Sequence, residues 1–239
     1  MLTHAASPAA TLARHPFFAG ASPEVLSRLA GYARWIDADP DQMIIDFEDL
    51  TTDVYFIVQG HVRVLLQTAN GERTQILEDF AAGELIGEMA AIDGVPRSAR
   101  IEALVRTQMC ALPARPFIDA VFASREIGLR LMGALAERIR KQNRRLIEMT
   151  ALPIRLRLTA ELLRLSRPKP DGSRVLSPIP TQEELASRVG ARRETVSREL
   201  SAMSEGGWLR RTRVSIVLPD PAALQAAVDS GLEQPRDGR

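Results

Sequence analysis

The sequence predicts an α+β protein in three parts: an antiparallel β-roll, a long helix and a winged helix-turn-helix. Three observations carry this. Short runs of β-branched and aromatic residues broken by turn pairs fill residues 41–113. An apolar seam spaced by threes and fours runs from Met132 to Met149. A capped helix, a glycine and a second helix occupy residues 181–200, with a basic turn and strand behind them. The expected boundaries are 1–123 for the roll, 124–152 for the long helix and 153–239 for the remainder.

At 239 residues the chain can bury two modest cores. No run approaches the roughly eighteen apolar residues needed to span a bilayer. Met1 to Ala13 lacks the basic-then-apolar order of a signal peptide. The lone Cys110 has no internal disulfide partner, and its neighbours Met109 and Ala111 mark it as a buried thiol. A cytoplasmic address is expected. Charge is sorted along the chain: residues 1–136 hold 11 Lys/Arg against 17 Asp/Glu, and residues 137–239 hold 20 against 13. An acidic front joined to a basic rear points to a polyanion met by the rear alone.

The roll is read from Asp53–Val58, Val62–Leu66 and Thr74–Leu77 as strands, with Gln59-Gly60 and Asn70-Gly71 as hairpin turns. Ser124 is the expected N-cap of the long helix, with Glu126 complementing its dipole. Met132, Leu135, Ile139, Gln142, Leu146 and Met149 form a coiled-coil seam flanked by charges expected to be solvated, which favours a two-fold dimer along this helix. Pro153 ends it, a new helix spans Ile154 to about Ser166, and Pro168–Ser173 reads as a loop. From Pro219 onward the pattern is polar or weakly amphipathic.

Thr181 and Glu184 form a capping box, and Gly190 supplies the positive φ of a turn between two helices. Leu185, Val189, Val196 and Leu200 are spaced to pack those helices together. Arg192, Arg193, Glu194, Ser197 and Arg198 are left outward. An arginine fork matches guanine O6 and N7, and a carboxylate accepts from cytosine N4. An acidic residue set among arginines suits base edges better than phosphates. Gly206–Arg213, followed by the strand Val214–Leu218, makes a basic wing suited to phosphates. Arg193-Glu-Thr-Val-Ser-Arg198 resembles the recognition-helix signature of the cyclic AMP receptor protein (CRP/FNR) family. Arg192 departs from it, standing where that family often has a capping serine. Thr181, Gln182, Arg192, Arg193, Glu194, Ser197, Arg198, Arg210 and Arg211 are the expected DNA contacts.

A second motif, Gly83-Glu-Leu-Ile-Gly-Glu88 through Pro96-Arg97-Ser98-Ala99, resembles the phosphate-binding cassette of cyclic-nucleotide-binding domains. Its chemistry agrees. Arg97 can pair with a cyclic phosphate, Ser98 can donate to it, Glu88 can accept from a ribose 2′-OH, and Gly87 permits close backbone approach. The resemblance covers about residues 18–218. It implies ligand contacts at Gly87, Glu88, Met89, Arg97 and Ser98, an apolar pocket side from Val64 and Leu77, and Arg138 reaching towards Glu88. It puts Gln142 and Asn143 beside the purine, where the family typically has Thr-Ser; amides donate and accept, so they suit adenine or guanine. It also implies a hinge at Thr150–Pro153, with Pro153 where that family often has Asp.

The expected protein is therefore a cyclic-nucleotide-dependent, DNA-binding transcription regulator and not an enzyme. Its ligand is cAMP first, with cGMP or both as the alternative, and no metal. Operator DNA, a second copy of the chain and RNA polymerase are the expected partners. A haem-sensing relative using His61, an iron–sulfur sensor and a ligand-independent regulator are the competing readings. One cysteine is too few for a cluster, and intact Glu88, Arg97 and Ser98 argue against a vestigial pocket. The roughly 80 residues after the hinge hold no catalytic constellation.

Overall fold

The computed structural model describes residues 8–67 and 74–233. The Asn70-Gly71 turn lies outside them, as do residues 1–7 of the N-terminal stretch. The chain divides into two compact units, residues 1–138 and 139–239, and the division falls inside the long helix.

The first unit opens with α1 (Pro8–Arg14), a 3₁₀ turn (Pro16–Phe18) and α2 (Pro23–Ala30). Strands β1 (Arg34–Ala38), β2 (Met43–Ile45), β3 (Val54–Gln59), β4 (His61–Gln67), β5 (Thr74–Ala81) and β6 (Leu85–Ile86) follow. Then come α3 (Glu88–Asp93), β7 (Arg100–Ala103), β8 (Thr107–Leu112), α4 (Ala114–Ala123) and α5 (Arg125–Ala151). The strands make two antiparallel four-stranded sheets, ordered β1-β8-β3-β6 and β2-β7-β4-β5.

Strand β3 explains the two-layer core. Tyr55 and Ile57 face an inner cluster with Val62, Val64, Phe80 and Ile101. Val54 and Phe56 face an outer cluster with Phe17, Phe18, Phe117 and Ile127. Both faces are covered, so its apolar run is continuous rather than alternating. In β8, Cys110 faces the outer cluster, and burial pushes its thiol up to about 11. That thiol is inert at neutral pH.

The N-terminal segment is pinned by His15. Its Nδ1 accepts the Phe17 amide, so Nε2 carries the proton and donates to the Ile57 carbonyl at 3.2 Å. Burial lowers the His15 pKa below the ordinary 6.5, against the raising influence of the Ile57 and Glu84 backbone. The unfolded chain therefore takes up this proton more readily than the folded one. Stability is expected to be full above about pH 6.5 and to decline as the pH falls below it, until the folded-state value is passed. Urea midpoints across this range should depend on pH more steeply in the parent than in His15→Leu; parallel curves would exclude His15 as the group responsible.

Ser124 closes α4, its amide donating to Ala120, and its hydroxyl accepts the Ile127 amide at the start of α5. The seam resolves into three environments. Leu135 packs against the outer cluster. Met149 lies against Gly190, where a Cβ would strike its methyl. Met132, Ile139 and Leu146, seven residues apart, stay 59%, 60% and 63% exposed. Gln142 is partly buried between the last two along the helix.

The second unit joins the distal part of α5 to α6 (Ile154–Leu165), β9 (Arg167–Pro168), β10 (Arg174–Leu176) and α7 (Gln182–Val189). It continues with α8 (Arg193–Glu205), β11 (Arg210–Arg211), β12 (Ile216–Leu218) and α9 (Pro221–Glu233). Its sheet is ordered β11-β12-β10-β9, so Pro168, expected to begin a loop, pairs with Arg174 instead. Strand β12 starts two residues later than expected, because the Thr212 hydroxyl accepts the Val214 and Ser215 amides and holds them in a turn. The weakly patterned C-terminal segment is a 13-residue helix whose first turn is capped by Asp220, through the Ala223 amide.

Charged residues, not only apolar ones, bind α5, α6 and α7 together. Glu161 is 1% exposed and accepts from Arg164 and from Arg188, the latter at 3.3 Å. Arg164 also reaches Glu148 at 2.6 Å, so the flank of α5 is buried at that position. Although burial opposes the charge on Arg164, Glu161 and Glu148 raise its pKa above the ordinary value. Arg145 of α5 and Arg157 of α6 donate to the carbonyls of Arg188 and Val189, where the end of α7 leaves carbonyls unsatisfied.

Candidate functional site

In the first unit, β6 delivers the chain to Gly87, whose φ of +80 turns it into α3. A Cβ there would lie 2.6 Å from Arg97 Nη1 and 2.9 Å from the Asp53 carbonyl. Glycine is thus required by both conformation and space. Glu88 is 2% exposed, and Arg138 donates to its Oε1 and to the Leu85 carbonyl. The Arg138 guanidinium also lies over the Phe80 ring, 4.6 Å from its centroid. Glu88 Oε2 is buried without a hydrogen-bond partner among the described residues.

Arg97 is 3% exposed, and among the described residues no carboxylate pairs with it. Its Nη1 and Nη2 donate to the carbonyls of Gly87 and Asp53, each at 2.8 Å, and its Nε to the Thr51 hydroxyl at 3.2 Å. Burial works against this charge and lowers its pKa, while Tyr55, Asp49, Asp53 and Glu88 pull it back up. Ser98 is exposed, its hydroxyl 3.9 Å from the sulfur of the equally exposed Met89. Val64 is buried in the inner apolar cluster and Leu77 packs on it. Gly87, Glu88, Arg97 and Arg138 thus come together, with Ser98 beside Met89.

Gln142 and Asn143 stand beyond the division of the chain, the first partly buried and the second exposed. Sequence reasoning missed Thr51, Asp53 and Phe80, because two of these hold Arg97 from more than forty residues away and one of them does so only through a carbonyl. His61 is exposed at the start of β4. Among the described residues no cluster suits a metal ion, and no helix is long and apolar enough to cross a membrane.

In the second unit, Thr181 accepts the Glu184 amide at 3.1 Å while the Glu184 carboxylate accepts the Thr181 amide at 2.8 Å. Gly190 takes φ +63 after α7, and Leu185, Val189, Val196 and Leu200 are buried between the helices. Arg192 occupies the N-cap of α8 without a side-chain cap bond, as expected where serine is missing. Arg192, Arg193, Glu194 and Arg198 are exposed, while Gln182 and Ser197 are partly buried. Arg210 and Arg211 are exposed on β11, which pairs with β12.

A β-roll with a buried polar cradle, a long helix and a winged helix-turn-helix define a ligand-sensing transcription regulator. The family description "Cyclic nucleotide-binding domain" matches residues 36–124, and "Crp-like helix-turn-helix domain" matches residues 156–227. The chain is 30% identical over 210 residues to the cyclic AMP receptor protein of Thermus thermophilus, covering 88% of this chain and 95% of that one. It is 24% identical over 216 residues to a CRP-like cAMP-activated global transcriptional regulator of Mycobacterium tuberculosis, covering 89% and 96%. A solved structure of a CooA mutant from Carboxydothermus hydrogenoformans shares the fold, with a TM-score of 0.74, 20% identity and coverage of 95% and 98%. The chain belongs to the CRP/FNR family of transcription regulators. It is a cyclic-nucleotide-responsive DNA-binding regulator and not an enzyme.

Proposed function

We propose that a purine cyclic mononucleotide, cAMP before cGMP, binds the cradle around Glu88 and Arg97 and sets the affinity of a homodimer for operator DNA. The observation that carries this reading is a pair of buried groups with opposite needs. Among the described residues, Glu88 Oε2 has no donor, and Arg97 has only neutral acceptors. A ribose 2′-OH supplies the first and a cyclic phosphate the second. Arginine has five N–H groups, and the three bonds above leave one N–H on each Nη for two phosphate oxygens. Ser98 adds a hydroxyl donor, with Gly87 and Met89 lining the approach. Val64 and Leu77 take the apolar side, and Gln142 and Asn143 take the base. Ser98 follows the bacterial cyclic-AMP pattern, which puts cAMP first.

On the DNA side, Arg193 and Arg198 read guanines and Glu194 a cytosine, in half-sites one helical turn apart. Thr181, Gln182, Arg192, Ser197, Arg210 and Arg211 hold the backbone. The exposed stripe of Met132, Ile139 and Leu146 supports dimerisation along α5, and RNA polymerase is the further partner.

Ligand and operator binding should then be linked. Calorimetric titration with cAMP and with cGMP, each with and without saturating operator, should show a coupling of about 1–3 kcal/mol, roughly 5- to 150-fold in affinity. Equal affinities with and without operator would favour the ligand-independent reading.

A further inference from the structure

We infer that Thr51 is a positioning residue for the phosphate subsite: its hydroxyl gives the Arg97 fork a third point of attachment, which helps hold its rotation so that the free N–H groups face the ligand. This rests on the cyclic-nucleotide reading of the cradle. The segment 46–53 grips Arg97 at four points. The Arg97 amide donates to Asp49 and its carbonyl accepts from Glu48, each at 2.9 Å. Its side chain donates from Nη2 to the Asp53 carbonyl and from Nε to Thr51. The fifth bond, from Nη1 to Gly87, is the only one of the set that reaches the cassette itself.

These contacts divide the work. The backbone pair fixes where residue 97 starts, and the two carbonyls draw the Nη atoms towards opposite sides. The bond at Nε adds a third acceptor on the stem side, and the three together hold the plane of the guanidinium about its long axis. A planar fork engages two phosphate oxygens only when its plane contains them, so rotation about that axis loses one of the two bonds while keeping the charge. Thr51 is the only side chain of these partners; the others are backbone, present whatever residues stand there. It is also exposed, so replacing it leaves both apolar cores of the roll untouched. Glu48 in the same segment sits at φ +63, a conformation unfavourable for a residue with a Cβ. The chain therefore holds this segment against local preference while it grips Arg97.

The test is a double-mutant cycle read by calorimetric titration with cAMP on the full-length protein. Thr51→Val should weaken cAMP binding on the order of tenfold, the scale of one hydrogen bond to a charged group. Thr51→Ser should stay within about twofold of the parent, since it keeps the acceptor. In an Arg97→Lys background, which has no Nε–H to present, Thr51→Val should add nothing. Urea midpoints of both Thr51 variants should match the parent's. Parental affinity in Thr51→Val would overturn the inference and leave the pocket reading standing. A loss of the same size in the Arg97→Lys background would also overturn it, because Thr51 would then act other than through the fork. Absence of cAMP and cGMP binding by the parent protein would remove the pocket reading and this inference with it.

Discussion

Replacing Arg97 with alanine should reduce affinity for cAMP by a hundredfold or more while the protein still dimerises. The variant removes the only buried cation of the cradle that lacks a carboxylate partner among the described residues. Arg138, the other cation near Glu88, is already committed to that carboxylate and to Leu85. No neighbouring side chain can therefore take over the phosphate. The loss has a folding component too: the carbonyls of Gly87 and Asp53 lose their donors, at a cost of about 1–3 kcal/mol if water does not replace it. Sedimentation and a urea midpoint measured beside the titration separate the two effects. Arg97→Lys should recover most of the stability and little of the affinity, since an ammonium supplies charge without the fork. Unchanged affinity in Arg97→Ala would place the ligand elsewhere.

The second large effect concerns stability. Glu161→Ala should destabilise the second unit by about 3–5 kcal/mol, a large share of the 5–15 kcal/mol typical of a domain. Glu161 faces Arg188 of α7, itself nearly fully buried, and Arg164 of its own helix. Arg164 also holds Glu148, but both arginines, Arg188 nearly fully buried, lose an anion inside the protein. Glu161→Gln should cost less, because one acceptor oxygen remains. The check is chemical denaturation combined with hydrogen exchange, where protection should fall in α7 and α6 before α8. A cost below about 1 kcal/mol would mean that water reaches this cluster freely.

How much of this was legible in the sequence depended on whether its cause was local. The Thr181–Glu184 capping box and the Gly190 turn are decided within four residues, and both stand where the residues place them. Strands β3, β4 and β5 were readable from their β-branched runs. Gln59-Gly60, expected as a hairpin turn, instead carries the chain from one sheet to the other, since β3 pairs with β6 and β8 while β4 pairs with β5 and β7. The short helices α1 and α3 left weak patterns, whereas α2, with its Ser22 cap and an apolar face of Val25, Leu26, Leu29 and Ala30, was legible and was not predicted. Helix α9 was missed because Leu224 and Val228 pack into two different clusters. In the site, residue types announced Arg97 and Glu88, and the resemblance supplied Arg138. The grip on Arg97 was invisible because two of its three side-chain acceptors are carbonyls, which no residue type encodes. The charged flank of α5 read as solvated; only the arrival of Arg164 from α6 makes burial of Glu148 tolerable.

Leu152, immediately before Pro153, is fully buried, and it shares a cluster with Ala160 and Val228. Gly231 of α9 comes so close that a Cβ would lie 3.0 Å from Leu152 and 2.5 Å from Leu156. Fragment design inherits this arrangement. A fragment begun at the proline would discard Leu152 together with Glu148 and Arg145, leaving Val228 without its neighbour and Arg164 without one of its anions. The workable cut for an isolated DNA-reading half lies upstream, among the exposed turns of α5 near Arg140 and Lys141. Chimeras that exchange sensing and reading halves between relatives should be joined at the same place, carrying the last stretch of α5, about three turns, and the whole of α9 as one cassette.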